Sequence, residues 1–372
     1  MPLSRDASEL HGCERLCGRR RVRSGHERAE ILARLALVAS SVCFALLIML
    51  LGMRFASAHS MDEDSTGGGE IRWEEYTRYD AEHRFGVDEW NALGSATIRR
   101  SQSDANVEFR DYRDCGDGVL ARWMPGSGAD LIAFNVCEMD KISAFDRRAT
   151  AVHEVGHALG LSHPSGSRKS KYWCKNSVMY YSSCKASLNT PQAHDRSDYY
   201  SLWPRMSEQQ PSRVEPSDAG DSDMEVRYAF DAMDPRELVG FATNVFVGQV
   251  VEETGSEGAP LSGSGKSSLP RTQFSVEVLK NVKGNVEDPV TVSQTGGYDE
   301  EEGREVRVEG DSPLEPGKKY LFSTSYNSEE GWYAVVAQPF GDVHVEGEAR
   351  RRDVEERFEQ SEEEQISYDP TP

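Results

Sequence analysis

Apolar positions along the chain change period several times, and each change predicts a different kind of element. Residues 35–53 form a 19-residue apolar run with no polar alternation. Residues 71–79 read as a strand, and residues 81–96 as a helix with Phe85, Trp90 and Leu93 as its apolar anchors. Residues 107–112 alternate as a half-buried strand does, and 119–124 and 131–136 give two more strands separated by Pro125-Gly126-Ser127-Gly128. Residues 143–161 carry the pattern of a longer helix. Thr190-Pro191-Gln192 opens another that runs through Tyr199, Leu202 and Trp203, where Pro191 suits a first helical position behind a Thr190 cap. Residues 207–225 are rich in Ser, Glu, Pro and Asp and read as a linker. Beyond it, 246–251, 274–279, 290–292, 320–323 and 332–336 are strand-like, which predicts a small all-β barrel or sandwich over 226–348. Residues 349–372 read as an acidic, solvated tail. The fold class expected is α+β, a mixed sheet with helices over residues 70–206 followed by the β module, with 59–69 a short polar segment.

The chemistry concentrates in residues 153–163, H-E-V-G-H-A-L-G-L-S-H. His153 and His157 are four apart, so on a helix both imidazoles leave one face and can grip one metal ion. Glu154 follows the first of them and would lie beside the metal, placed to take a proton from an activated water. Gly160 lets the backbone leave the helix sharply, through a positive φ that a side chain would resist. His163 can then swing back as a third ligand. Three nitrogens leave one tetrahedral position open, the pattern of a catalytic zinc site rather than a closed structural one.

Ser177-Val178-Met179-Tyr180-Tyr181 follows at a distance that makes the pair of motifs more specific than either alone. Together they resemble the metzincin clan of zinc endopeptidases, in which a long zinc motif precedes a Met-turn. The resemblance implies that Met179 forms an apolar floor under the metal and that Tyr181 donates a hydrogen bond to the oxyanion of the transition state. It is closest to matrixins, where Leu120, Ala121 and Arg122 would lie on an antiparallel edge strand that pairs with substrate backbone. Residues 106–152 contain no histidine, so the second, structural zinc of that family is not implied. Calcium could be contacted by Asp114 and Asp117, without further support. The pieces 247–250, 282–284 and 317–321 faintly resemble netrin-like, OB-type modules. That family includes metalloproteinase inhibitors that chelate zinc through an N-terminal cysteine. This module has no cysteine, so their mechanism is not implied and a binding or positioning accessory is expected.

Export is expected from the N-terminus. Arg19, Arg20, Arg21, Arg23, Arg28 and Arg34 precede the apolar run, and Ala56-Ser57-Ala58 supplies small residues at signal-peptidase spacing. Residues 1–58 therefore read as a signal peptide cleaved after Ala58; an uncleaved signal anchor at the cell surface is the alternative. The chain's net charge is −21, and removing the leader's net +4 leaves about −25. Such a surface disfavours nucleic acid and anionic membranes. Cys115, Cys137, Cys174 and Cys184 remain after cleavage and allow three disulfide connectivities, with Cys115–Cys137 and Cys174–Cys184 the favoured pairs. The function expected is a secreted zinc endopeptidase acting on protein or peptide substrates. The alternative is a secreted binding protein whose protease domain is inactive and whose β module carries the function.

Overall fold

The strands that alternate or run apolar in the sequence assemble first into a mixed sheet. β1 (Glu70–Tyr76), β2 (Thr97–Arg100), β3 (Val107–Tyr112) and β5 (Asp130–Asn135) run parallel, with β4 (Val119–Met124) antiparallel beside β5. Every residue of β4 and β5 is buried. α1 (Asp80–Asn91) and α3 (Ala144–Ala158) pack together, with the Trp90 indole N–H donating to the Val152 carbonyl at 2.8 Å. A short helix, α2 (Val136–Met139), follows β5 directly, and α4 (Ala193–Leu202) lies near the end of this half. The structure, a computed structural model, describes residues 59–370 apart from 62, 68, 165–170, 184–187, 205–221, 264–267 and 301. The expected leader thus lies outside the described residues. Among the described residues no helix is long and apolar enough to cross a membrane.

The sheet does not end at β4, and here the structure corrects the sequence reading. β6 (Ser222–Tyr228) pairs antiparallel with β4, and β11 (Arg304–Val308) and β10 (Gly297–Asp299) extend the sheet beyond it. Leu120, Ala121 and Arg122 are therefore not on a free edge strand. Residues 222–225, expected in a linker, are the start of the strand that covers it. The expected boundary near 226 falls inside β6, and Ala58–Pro372 forms one compact unit.

The second sheet, order β13-β9-β8-β7-β12-β14, is built from β7 (Asn244–Pro260), β8 (Ser268–Lys283), β9 (Val290–Thr295), β12 (Lys319–Asn327), β13 (Trp332–Val335) and β14 (Asp342–His344). β13 pairs with both β9 and β12, which closes five strands into a small barrel, one of the two forms expected, although β10 and β11 of the expected module join the first sheet. Its interior is filled by Phe246, Phe274, Val276, Val292 and Phe322, each worth about 1.5–3 kcal/mol of burial. α5 (Pro235–Phe241) leads into β7. Overall the fold is mixed α and β, with two sheets and six α-helices among the described residues.

Two further expectations change. The acidic tail is not simply solvated: α6 (Gly347–Glu363) buries Val354 and Phe358, and Lys280 of β8 pairs with Glu355 and Glu359 at 2.9 and 2.7 Å. The charges that read as solvated have cationic partners on the barrel. The closing helix is capped by Gln192 rather than Thr190, because Asp195 accepts the Gln192 amide in a capping box and sets the start there. Cys115 and Cys137 form a disulfide with Cα atoms 5.3 Å apart. Cys174 is also disulfide-bonded, and Cys184 lies outside the described residues.

Candidate metal centre

α3 starts at Ser143, whose hydroxyl accepts the Asp146 amide, and it runs straight through His153, Glu154 and His157. Ten consecutive residues at its C-terminal end, Ala149 to Ala158, are buried. The chain then turns out at Gly160, where φ is +85° and the amide donates to the His157 carbonyl at 2.7 Å. That turn brings His163 back onto the helix. His157 Nε2 lies 2.9 Å from His153 Nε2, and His163 Nε2 lies 3.3 Å from it.

The far side of each ring shows what holds it. His153 Nδ1 is 2.9 Å from the Val178 carbonyl and also 2.9 Å from the Arg227 guanidinium, and His157 Nδ1 is 2.8 Å from the Leu161 carbonyl. A carbonyl only accepts, so His157 Nδ1 carries the proton and its Nε2 presents a lone pair, whereas His153 Nδ1 meets an acceptor and a donor. His163 Nδ1 faces carboxylates, Glu309 at 3.1 Å and Glu225 at 3.0 Å. Three Nε2 atoms thus converge. Tetrahedral zinc, with Zn–N near 2.0–2.1 Å, needs nitrogens about 3.3 Å apart, and the observed spacings suit it. Burial pushes His153 and His157 well below the usual imidazole range, keeping them neutral as ligands must be. Burial also opposes protonation of His163, but Glu225 and Glu309 outweigh it and raise its value to about 9.

Glu154 is fully buried beside these rings, and neither carboxylate oxygen has a hydrogen-bond partner. Burial raises its pKa to about 8, partly countered by the charges of Arg227 and His163. An orphaned buried carboxylate is costly unless something it serves is bound nearby, so it supports the fit of a cation and water to this site. Beneath the helix, Gly156 leaves room for Met179: a Cβ there would collide with the Met179 sulfur. Met179 is buried and sits where the Met-turn reading expected an apolar floor.

Other groupings of possible ligands differ in kind. His59 and His194 both face Asp198 Oδ2, at 3.1 and 3.2 Å, and His83 faces Glu75 at 2.7 Å. There an imidazole meets a carboxylate, and one proton satisfies the contact. Asp117 accepts from the Arg122 guanidinium at 2.7 Å, and Asp114 faces Arg271 at 3.7 Å, so the pair considered for calcium is opposed by arginines.

Tyr181 is brought beside the centre, its ring centroid 6.3 Å from that of His163. Its hydroxyl, however, donates to Asp231 at 2.9 Å, a residue just past β6. Three residues that the sequence reading passed over also meet here. Asp195 accepts from the Ser177 hydroxyl and the Val178 amide at 2.5 and 2.9 Å, which holds Val178, the residue whose carbonyl meets His153. Arg227 donates to the Val178 and Tyr180 carbonyls at 2.9 and 3.1 Å, and Glu225 stands against His163. A signal existed for Asp195 in its capping-box position, but charged residues in β6 read as solvated.

No protein-family model matches the chain, and no curated protein matches it. Among solved structures it is similar to a chain of the GM1 bound form of the ECX AB5 holotoxin. That likeness is at 20% identity over 26% of this chain and 53% of that chain, with a TM-score of 0.20.

Proposed function

We propose that this chain is an exported zinc-dependent endopeptidase of metzincin type, with His153, His157 and His163 as metal ligands and Glu154 as general base and acid. The observation that carries the reading is the convergence of three imidazole Nε2 atoms, each ring held from behind by a carbonyl or carboxylate, next to a buried carboxylate with no partner. A divalent cation bound there would supply Lewis acidity toward water and a peptide carbonyl. Glu154 would take the proton of the attacking water and pass it to the leaving amine; its pKa near neutrality suits a group that must do both. Tyr181 can donate to the developing oxyanion once its hydroxyl is free of Asp231. The Cys115–Cys137 disulfide is in keeping with an oxidising compartment and so with export.

A second reading has two observations in its favour. His153, Glu154 and His157 are fully buried and the expected substrate edge is paired, as an inactive protease domain with a working β module would allow. Casein hydrolysis separates the two. On the peptidase reading the purified protein shows zinc-dependent cleavage, however slow, that a chelator abolishes. Glu154→Gln should lower it by at least a hundredfold while retaining zinc. Cleavage unchanged by either would overturn the reading.

A further inference from the structure

β6 lies between two backbones that a peptide substrate would have to use. On one side it is antiparallel to β4, with Trp123 opposite Glu225, Arg122 opposite Val226 and Ala121 opposite Arg227. On the other, Tyr228 donates its amide to the Tyr181 carbonyl at 2.8 Å and accepts from the Ser183 amide at 2.9 Å, a parallel bridge to the segment after the Met-turn. Just beyond, the Ala229 amide donates to the Gly118 carbonyl and Asp231 takes the Tyr181 hydroxyl. The side chains match the backbone. Glu225 reaches the outer nitrogen of His163, and Arg227 donates to the carbonyl that also holds His153. A buried guanidinium is costly unless its N–H groups find acceptors, and Arg227 Nη1 finds two, the Val178 and Tyr180 carbonyls.

We propose that the cleft between β4 and residues 181–183 is a binding groove for an extended peptide, and that residues 222–231 of this chain occupy it as an internal competitor. The compact form is then latent, and a substrate binds when β6 leaves β4. The inference deepens the peptidase reading and rests on it only for the hydrolysis of a bound peptide, not for the binding itself. It needs no cysteine: β6 occupies the groove by strand addition, with backbone hydrogen bonds and the Glu225 and Arg227 side chains.

The test uses two variants that loosen β6 without removing Glu225 or Arg227. Val226→Pro deletes a backbone donor in the middle of the strand. Tyr228→Ala removes a phenol that donates to the Gln338 carbonyl and packs beside Tyr181 and Phe340. It is the milder change should the proline prevent folding, which a thermal melt reports. A fluorescein-labelled peptide of residues 222–231 is titrated into each metal-free protein and followed by polarisation. The expected result is binding to the variants at least tenfold tighter than to the wild type. In the zinc-loaded proteins, casein cleavage should rise at least tenfold in both variants and fall again when unlabelled peptide is added. Equal peptide binding by wild type and variants overturns the proposal. Tighter peptide binding without cleavage in any zinc-loaded form keeps the groove and its internal occupant but removes the peptidase reading. Measurable cleavage that is equal in wild type and variants keeps the peptidase and overturns the latency.

Discussion

Asp195 shows how far the centre depends on single side chains that touch no metal. Its carboxylate accepts the Ser177 hydroxyl, the Val178 amide and the Gln192 amide, so one residue fixes both the Met-turn and the start of α4. The Val178 peptide in turn orients His153 through its carbonyl. Asp195→Ala leaves buried donors without acceptors and should cost about 3 kcal/mol of stability. It should also weaken zinc binding about tenfold, because the ring it orients indirectly is freed to rotate. Chemical denaturation and a zinc titration read the two effects separately; an unchanged zinc affinity would limit Asp195 to a structural part. At this scale the convergence of His153, His157 and His163 was legible in the sequence, since helical spacing and Gly160 dictate where they go. Glu225, Arg227 and Glu309 were not, because a charged residue reads as solvated until the partner that satisfies it is known.

Among elements, the strands and helices made from local pattern fall close to where the sequence placed them. β3 and β4 match residue for residue, and α3 spans Ala144–Ala158 where a helix over 143–161 was expected. The failures are elements whose stability comes from distant partners. β6 reads S-D-M-E-V-R-Y, half of it charged, and becomes a strand because β4 and β11 pair with it and the centre absorbs Glu225 and Arg227. α6 reads as a solvated acidic tail and docks because Lys280 meets its carboxylates while Val354 and Phe358 are buried. Non-local pairing of this kind leaves no periodic mark that composition or spacing can detect. The free edge strand was lost for the same reason: β4 was recognised, its neighbour was not.

The described unit, Ala58–Pro372, is tied together through that strand. One hydrophobic core runs from Trp90 and Val152 through Val226 to Val245, Leu321, Val336 and Phe358. The two sheets are further joined where the Ala337 amide donates to the Asp117 carbonyl at 2.8 Å and Ser262 bonds to Asp111 and Tyr76. Thermal unfolding followed by calorimetry should therefore give a single cooperative transition. Two well-separated transitions would mean that the barrel and the mixed sheet are independent, and that β6 is held more weakly than its pairing implies.

The peptidase proposed for this chain depends on three imidazoles forming one metal site, and zinc content is the quantity to measure. Protein purified with zinc and dialysed free of excess should hold about one zinc per chain. His153→Ala, His157→Ala and His163→Ala should each lower the affinity at least a hundredfold, while His194→Ala, in the carboxylate-satisfied grouping, should change nothing. Zinc bound equally by wild type and all three ligand variants, or no zinc bound at all, would rule out the site.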